Sequence, residues 1–274
     1  MTPATPGVPA ASAPQADILA IAAHRDDVEQ TCGGTLLKMA QRGHRTAILD
    51  LTRGEMGTRG TADDRRREAA EAARILYVSW RGALDLPDGR LENTLPNRLK
   101  IAAVVRALQP KVVILPYWQG RHPDHYTAST LGYEACFLAG LKKLDLSSVT
   151  AASLEMTYSP PPWPAGWQLP ATGSPHRPNK ILYATLYYDV RPTFVVDISE
   201  QFEARFRALM AYKSQYATQE AGSDVFVPER DIRQQIETMA RFYGLLAGVE
   251  YAEPFLQKEV GLVEDVTAIP VASM

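Results

Sequence analysis

Residues 22–29 read Ala-Ala-His-Arg-Asp-Asp-Val-Glu, and the rest of the chain is arranged around them. The apolar run 18–21 precedes them, and the sequence Cys-Gly-Gly-Thr follows at 32–35. This order predicts a buried strand, polar side chains at its carboxyl end, and glycines that lead into a helix. In open α/β sheets, ligand sites form at that end of the strands. One imidazole and two adjacent carboxylates there could bind a metal ion and leave one carboxylate free as a base.

Apolar segments separated by turn residues predict the secondary structure of the remaining chain. We predict strands at 17–23, 45–51, 112–116, 181–186 and 194–198, and helices at 33–42, 63–76, 99–108, 122–141 (after an initial loop), 200–212 and 232–246. Residues 82–89 are rich in turn formers and predict a loop. The alternation of strands and helices favours an α/β fold: a Rossmann-like, mostly parallel sheet with helices on both faces, plus a C-terminal α/β extension.

Composition limits the classes of partner. The chain has 274 residues, 46% of them hydrophobic, which is enough for one large domain. A net charge of -2 gives no reason to expect a nucleic-acid partner. No apolar run approaches the roughly 20 residues of a membrane span, so we expect no membrane partner. Two cysteines, Cys32 and Cys136, suit a reducing, cytoplasmic setting. Residues 1–16 predict a disordered leader, and residues 259–274 a C-terminal tail.

A second polar cluster, His-Pro-Asp-His at 122–125, also follows a predicted buried strand. We expect the two clusters to meet around one Zn²⁺, because catalytic zinc commonly has three protein ligands and one open position for water. His24 and Asp27 could both reach one ion, which leaves Asp26 as a base. One histidine of the second cluster could complete the metal set, and the other could stabilise an oxyanion. Asp124 could orient an imidazole. These groups suffice for metal-assisted hydrolysis of an amide.

The clusters resemble the motifs of the LmbE-like (PIG-L) family of zinc-dependent N-acetylglucosamine deacetylases, Ala-His-Pro-Asp-Asp-x-Glu and His-x-Asp-His. The resemblance extends over a domain of residues 17–258. Within the family it is strongest to the N-acetylglucosaminyl-malate deacetylases of bacillithiol biosynthesis. That narrower resemblance rests on segments 52–61, 86–89, 121–125, 211–216, 241–244 and 251–255. It implies a hydrolase that removes acetate from an N-acetylglucosaminide, with N-acetylglucosaminyl-malate as the expected substrate.

The resemblance also implies a role for each matching residue. The zinc ligands would be His24, Asp27 and His125, and the general base would be Asp26. His122 would be the oxyanion stabiliser or general acid, and Asp124 would orient a histidine. The substrate-binding residues would be Arg53, Arg59, Arg121 and Tyr187 or Tyr188. Arg53 would hold the anionic or sugar part of the substrate. One Zn²⁺ is expected per subunit, with another divalent metal such as Fe²⁺ as the alternative. The family further implies a homo-oligomer, with a hexamer as the expected size.

Two features depart from the family. Arg25 stands where the family has proline, whose fixed φ stiffens the turn. The exchange could loosen the turn, or Arg25 could pair with a nearby carboxylate; the ligands and the base remain, so we expect activity. The proline-rich stretch 158–178 differs from the usual connection and could be a flap or an interface segment.

Other functions remain open at this point. An amidase of thiol conjugates or a deacetylase of other N-acetylglucosamine derivatives would use the same groups. A non-catalytic sugar-binding protein could keep the fold. A nucleotide-binding Rossmann protein is a further class, although Gly33-Gly34 alone is a weak phosphate loop.

Overall fold

The computed structural model describes residues 16–147, 149, 154–161, 173–185, 190–216 and 232–269. Its strands are β1 (Ile18–Ala22), β2 (Thr46–Asp50), β3 (Trp80–Leu84), β4 (Val112–Pro116), β5 (Leu154–Tyr158), β6 (Lys180–Ala184), β7 (Phe194–Asp197) and β8 (Ala252–Leu256). Its helices are α1 (Asp27–Thr31), α2 (Gly33–Gln41), α3 (Ala62–Ile75), α4 (Leu95–Leu108), α5 (Pro123–Ala139), α6 (Phe202–Leu209), α7 (Lys213–Tyr216) and α8 (Ile232–Leu245), and a short 3₁₀ turn lies at Val266–Ala268.

The described strands form one sheet in the order β5-β3-β2-β1-β4-β6-β8-β7. The central strands β3, β2, β1, β4 and β6 are parallel to their neighbours within this group. β5 runs antiparallel to β3, and β8 runs antiparallel to both β6 and β7. The predicted α/β class with a mostly parallel sheet is therefore confirmed, and the antiparallel strands β7 and β8 belong to the C-terminal extension.

Alternate residues of β1 face two different cores. Leu19 and Ile21 pack with apolar side chains of α4 and α5. Ile18 and Ala20 pack with apolar side chains of α2, α3 and α6. A central parallel strand is covered in this way when helices lie on both faces of the sheet.

The chain order changes direction beside β1, because β2 pairs with one of its edges and β4 with the other. The loops that leave β1 and β4 therefore separate at the same point on the sheet edge, which is where open α/β sheets bind ligands. His24 lies in the first of these loops, and His122 lies at the end of the second. The topology brings together two clusters that are about a hundred residues apart in sequence.

Some predicted elements were wrong. The predicted loop at 82–89 begins inside β3, a buried strand. Gly82 lies in the middle of that strand. A Cβ there would lie 2.8 Å from the Trp80 ring, so close packing, and not a turn, requires glycine at this position. β5 and β8 were not predicted. Helix α4 begins at Leu95 rather than 99, because the Thr94 hydroxyl accepts from the Asn97 amide and caps it.

The chain boundaries are only partly described. Residues 1–15 of the predicted leader and 162–172 of the proline-rich stretch lie outside the described residues. Ala16, the last residue assigned to the leader, is buried, and its amide donates to the Leu108 carbonyl. Among the described helices, none has the length and apolar composition needed to cross a membrane.

Candidate active site

The turn after β1 places three polar side chains at the edge of the sheet. The Thr52 amide donates to the Ala23 carbonyl, which fixes the end of β2 beside this turn. The His24 amide donates to the Asp27 carboxylate at 2.9 Å, so the turn closes on itself before α1 begins. As a result His24 and Asp27 face one side, and Asp26 between them faces another.

The predicted metal-binding atoms lie close together. His24 Nδ1 is 3.3 Å from His125 Nε2 and 3.5 Å from Asp27 Oδ2, and His125 Nε2 is 3.1 Å from Asp27 Oδ1. Atoms that share one tetrahedral zinc at about 2.0–2.2 Å lie roughly 3.4 Å apart. Two imidazole nitrogens and a carboxylate at these separations fit a single divalent cation. That they bind one stays a prediction.

The other ring nitrogen of His24 faces two carboxylates. Its Nε2 lies 3.1 Å from Asp88 Oδ1 and 3.3 Å from Asp124 Oδ2. Asp124 is fixed in turn by the Gly89 and Leu91 amides at 2.7 and 3.1 Å. Histidine ligands of metals usually donate their second ring N–H to such a carboxylate, which fixes the tautomer. Asp124 was expected to orient a histidine, and the structure places its carboxylate on His24. Asp88 was missed by sequence reasoning, although its turn, 86–89, belongs to the segments quoted for the resemblance.

The charges of this cluster favour a cation. Burial alone would lower the pKa of His24, but the carboxylates of Asp27, Asp124 and Asp88 raise it to about 12. Burial alone would raise the pKa of Asp27, but His125 and His24 hold it well below its usual range. Without a metal, protonated imidazoles supply the positive charge that these carboxylates require. A bound cation would take over that role.

Asp26 is held apart from the metal cluster by two neighbours. Arg65 Nη2 of α3 donates to Asp26 Oδ1 at 2.9 Å, and the Tyr216 hydroxyl of α7 donates to Asp26 Oδ2 at 2.6 Å. The carboxylate therefore has a fixed orientation beside the cluster. Sequence reasoning identified neither Arg65 nor Tyr216, although Tyr216 ends the segment 211–216 that supports the resemblance.

His122 occupies the N-cap of α5, where its Nδ1 accepts from the Asp124 amide at 3.2 Å. Its ring stacks on His125 with centroids 4.9 Å apart and meets His24 edge-on at 4.7 Å. Burial, followed by the charges of His24 and His125, lowers its pKa, so the imidazole is neutral near pH 7. The three histidines also lie close enough to hold a metal among themselves, which makes His122 the alternative ligand to Asp27.

Comparison with known proteins agrees with this geometry. The sequence pattern of the PIG-L family, described as GlcNAc-PI de-N-acetylase, matches residues 19–136. The diacetylchitobiose deacetylase of Thermococcus kodakarensis is 31% identical over 247 residues, which cover 86% of this chain and 80% of that protein. The chain belongs to the PIG-L family. It is a deacetylase that hydrolyses an N-acetyl amide bond.

Two further relatives extend the comparison of this deacetylase. The 1D-myo-inositol 2-acetamido-2-deoxy-alpha-D-glucopyranoside deacetylase of Rhodococcus opacus is 26% identical over 267 residues, covering 80% of the deacetylase and 88% of that protein. A conserved protein of Thermus thermophilus, known from its crystal structure, is 37% identical with a TM-score of 0.74, covering 91% of the deacetylase and 98% of that chain.

The residues expected to bind substrate are less closely grouped than the predicted metal ligands. Arg53 follows Thr52 at the tip of β2, next to the β1 turn, and its side chain is 39% exposed. The Arg59 carbonyl accepts from Gln215 Nε2, so this residue lies against α7. Arg121 is exposed in the position before His122. Tyr187 and Tyr188 lie outside the described residues.

Arg25 is fully buried in the deacetylase. Its Nη2 donates to Glu155 Oε1 of β5, and its Nη1 donates to the Ala62 carbonyl at 2.8 Å. Its own carbonyl accepts from Arg81 Nη2 at 2.7 Å. Of the two outcomes expected for the loss of proline, the structure shows ion pairing, and the carboxylate is Glu155 rather than the base Asp26. Hydrogen bonds therefore fix the turn that a proline ring would stiffen.

The glycines after the turn do not form a phosphate loop. Glu253 of β8 accepts from the Gly34 and Thr35 amides at 2.8 and 2.7 Å. Its carboxylate fills the anion site that the first turn of a helix offers. The nucleotide-binding interpretation needs this position for a phosphate, and the deacetylase's own side chain occupies it.

Proposed function

We propose that the deacetylase removes acetate from N-acetylglucosaminides, with N-acetylglucosaminyl-malate as its preferred substrate, and that it uses one Zn²⁺ per subunit. The observation that carries this proposal is the set of donor atoms on His24, Asp27 and His125, which are 3.1–3.5 Å apart, with the Asp26 carboxylate held beside them. The named relatives act on acetylated glucosamine compounds, diacetylchitobiose and an inositol glucosaminide. Fe²⁺ is the alternative metal.

Each residue has a defined task in this proposal. His24, Asp27 and His125 would hold a divalent cation, and the cation would supply Lewis acidity to the attacking water and to the acetyl carbonyl. Asp26 accepts the proton of that water, and its contacts with Arg65 and Tyr216 keep it oriented towards the attack. His122 donates a hydrogen bond to the developing oxyanion. Asp26 then gives this proton to the departing amine, which completes amide hydrolysis, and His122 stays a neutral hydrogen-bond donor.

The substrate's anionic end is assigned to Arg53. A guanidinium offers two parallel N–H donors, which match the two oxygens of a carboxylate such as that of malate. Arg59 and Arg121 are secondary candidates for the same group, and Tyr187 or Tyr188 is a further substrate-binding candidate. An amidase of thiol conjugates, or a deacetylase of other N-acetylglucosamine derivatives, would require the same metal cluster and differ only at this end.

Acetate release tests the proposal directly. The zinc-loaded enzyme is assayed with N-acetylglucosaminyl-malate, diacetylchitobiose and the amide of a thiol conjugate, each with and without a chelator. Chelator-sensitive release, fastest from the malate compound, supports the proposal. Faster release from another member of the panel moves the substrate assignment to that compound. Binding of all three without release would indicate a sugar-binding protein instead.

Paired variants separate the roles of the adjacent aspartates. Asp26→Ala should keep stoichiometric zinc and lose about a hundred- to ten-thousandfold in kcat, because the base is removed but the ligands remain. Asp27→Ala should lose zinc at the same time as activity. Metal analysis and kcat are measured on both proteins. Loss of zinc in Asp26→Ala with retention in Asp27→Ala would show that the two roles are exchanged.

We also propose that residues 17–258 form the catalytic unit of a homo-oligomer, with a hexamer as the expected size. Phe242, Leu245 and Leu246 expose apolar surface on and just after α8, and Val260 and Leu262 do so in the tail. Such surface is typical of subunit contacts. Light scattering during gel filtration measures the subunit number, and a monomer at micromolar concentration would contradict the proposal. The unpaired, buried thiols of Cys32 and Cys136 favour a cytoplasmic setting.

A further inference from the structure

Glu155 links two arginines at the edge of the active site. It lies on β5, one of the two edge strands of the described sheet, opposite Ala83 of β3. Its Oε1 accepts from the buried Arg25, and its Oε2 lies 3.6 Å from Arg53 Nε. Arg25 is adjacent in sequence to Asp26, and Arg53 follows the residue that bonds to Ala23. Arg25, Glu155 and Arg53 therefore form a row of ion pairs beside the proposed catalytic cluster.

Arg25 and Arg53 differ in whether their guanidinium nitrogens remain available to a ligand. Arg25 is fully enclosed, and its terminal nitrogens are used by Glu155 and the Ala62 carbonyl. Arg53 is 39% exposed, and its Nε lies 3.6 Å from Glu155 Oε2, which is an ion-pair distance too long for a hydrogen bond. Among the described residues, none accepts a hydrogen bond from the terminal nitrogens of Arg53. A guanidinium whose Nε edge faces a fixed carboxylate directs its terminal donors away from that carboxylate.

The guanidinium charges in this row outnumber the carboxylates that pair with them. Arg25 and Arg53 share the single carboxylate of Glu155, and Arg65 is paired with Asp26. One guanidinium charge remains, and it lies on the exposed member, Arg53. A positive charge at an exposed and oriented donor pair fits an anion with two oxygens.

We propose that Glu155, anchored by Arg25, is a positioning residue that aims Arg53 at a carboxylate on the aglycone and so makes the deacetylase selective for anionic glucosaminides. The inference rests on the proposed function, since it assigns the part of the substrate that lies outside the acetylated sugar. In this arrangement Arg25 replaces the stiffness of the family's proline with a side chain that reaches the substrate-binding arginine through Glu155.

Kinetics with a charged and a neutral substrate test the proposal. N-acetylglucosaminyl-malate carries two carboxylates on its aglycone, and methyl N-acetylglucosaminide has a small neutral aglycone with none. Glu155→Ala should raise KM for the malate compound on the order of tenfold, the worth of one oriented, charge-assisted contact. It should change KM for the methyl glycoside far less, and kcat on either substrate little. Arg53→Ala should show the same selectivity, and the double variant should be no worse than Arg53→Ala, because Glu155 acts through Arg53.

Controls distinguish this role from a structural one. Glu71→Ala removes a carboxylate from an exposed ion pair with Arg74 on α3 and should leave both KM values unchanged. Glu155→Gln keeps an oxygen acceptor for Arg53 and serves where the alanine variant unfolds; it should lie between the wild type and Glu155→Ala. An equal rise of KM for both substrates would show a structural role. A fall of KM for the malate compound would show that Glu155 competes with the substrate for Arg53. Either result overturns the proposal.

Failure of the proposed function is recognised separately. If the zinc-loaded wild type releases acetate from neither substrate, the proposed activity is wrong. The affinity of the same variants for the two compounds, measured by titration calorimetry, then decides the role of Glu155. A malate-specific loss of affinity in Glu155→Ala still supports the inference, and equal affinities in wild type and variant overturn it.

Discussion

Asp88 gives His24 a defined orientation, although no catalytic motif marks it. Its Oδ1 lies 3.1 Å from His24 Nε2, and its Oδ2 accepts from the Met56 amide at 2.9 Å. Its amide donates to Glu55 Oε1 at 2.9 Å, so the loop of residues 52–61, which contains three glycines, is connected to the histidine. Burial alone would raise the pKa of Asp88, but His24 and the Met56 amide lower it, so the carboxylate is ionised.

The exchange Asp88→Asn should weaken zinc binding about 10- to 100-fold, because the His24 Nε2–H loses a charged acceptor that keeps Nδ1 directed at the metal. Competition with a coloured chelator measures the affinity. Asp85→Asn, in the same loop but paired with Lys100, is the matched control and should bind zinc like the wild type. Equal zinc affinity in Asp88→Asn would remove Asp88 from the site.

Sequence spacing could predict the residues that act together within one turn, but not those that reach the turn from elsewhere. His24, Asp26 and Asp27 are fixed relative to one another by the local backbone, and the edge of the sheet brings in His125. Arg65 and Tyr216 contact Asp26 from two helices, α3 and α7. The orientation and position of these helices relative to the sheet depend on how the core packs. The fate of Arg25 was open for the same reason, because its partner lies on β5, which was not predicted.

Among the elements, helix α2 depends on a strand from the other end of the chain. A Cβ on Gly34 would lie 3.0 Å from both Glu253 Oε1 and Ile198, whereas one on Gly33 would meet its neighbours at 3.4–3.5 Å. Gly34 therefore allows the Glu253 carboxylate to approach the first turn of α2. The glycine serves the packing of a carboxylate against a helix, which no local pattern indicates.

Gly34→Ala should destabilise the protein by about 1–2 kcal/mol through overpacking against Glu253 and Ile198. Gly33→Ala is the matched control and should be nearly neutral, since its new methyl group makes ordinary contacts. Urea unfolding, followed by circular dichroism, measures both. Equal midpoints for the two variants would show that the carboxylate can shift without loss.

Asp17 ties the starts of three strands together. Its Oδ2 accepts from the Arg45 amide at 2.9 Å before β2, and its Oδ1 accepts from Lys111 Nζ at 3.0 Å before β4. Burial alone would raise the pKa of Asp17, but the Arg45 amide and the Lys111 ammonium together hold it below its usual value of 3.8. The ionised form is thus the one that the folded state prefers.

A lowered folded-state pKa contributes stability that is present above the unfolded pKa and is lost as the pH falls through the folded value. Asp17→Asn should therefore lower Tm near neutral pH and flatten the loss of Tm below about pH 4. Lys111→Met should have a smaller effect, because the bond from the Arg45 amide remains. Melting curves between acidic and neutral pH measure all three proteins, and parallel curves would contradict the assignment.

Strands buried between helices were predictable where they were uniformly apolar, as in β1, β2 and β4. β3 was not, because Arg81 and Gly82 in its centre are typical of loops. Arg81 is tolerated in the core because it pairs with Glu29 at 2.6 Å and with Asp50 at 2.8 Å. Buried charges persist when such partners satisfy them, and those partners come from separate elements. β8 carries Glu253 and Pro254 and was missed for the same kind of reason.

At the scale of the whole molecule, the metal cluster concentrates negative charge at the centre of the sheet edge. Asp27, Asp88 and Asp124 all lie within 3.5 Å of His24 ring nitrogens. Removal of a bound cation leaves the protonated imidazoles of His24 and His125 to balance these carboxylates. The stability of the fold is therefore expected to depend on metal as well as on the apolar cores.

Chelation should lower Tm by about 5 °C or more, because a ligand that binds the folded state alone stabilises it by mass action. Differential scanning calorimetry of the zinc-loaded protein, with and without a chelator, measures the shift. The Asp27→Ala variant should show little response to the chelator, since it has lost a ligand. A Tm of the wild type that is independent of chelator would mean that no metal is bound.

The contact between Glu253 and the first turn of α2 has a consequence for the order in which the protein is made. During synthesis, α2 leaves the ribosome about two hundred residues before Glu253 does. Until then the Gly34 and Thr35 amides lack their acceptor, and the segment that carries His24 and Asp27 lacks its support. The active-site end of the nascent chain is thus completed by β8, which is synthesised about two hundred residues later, so this end of the sheet matures after most of the parallel strands have been made.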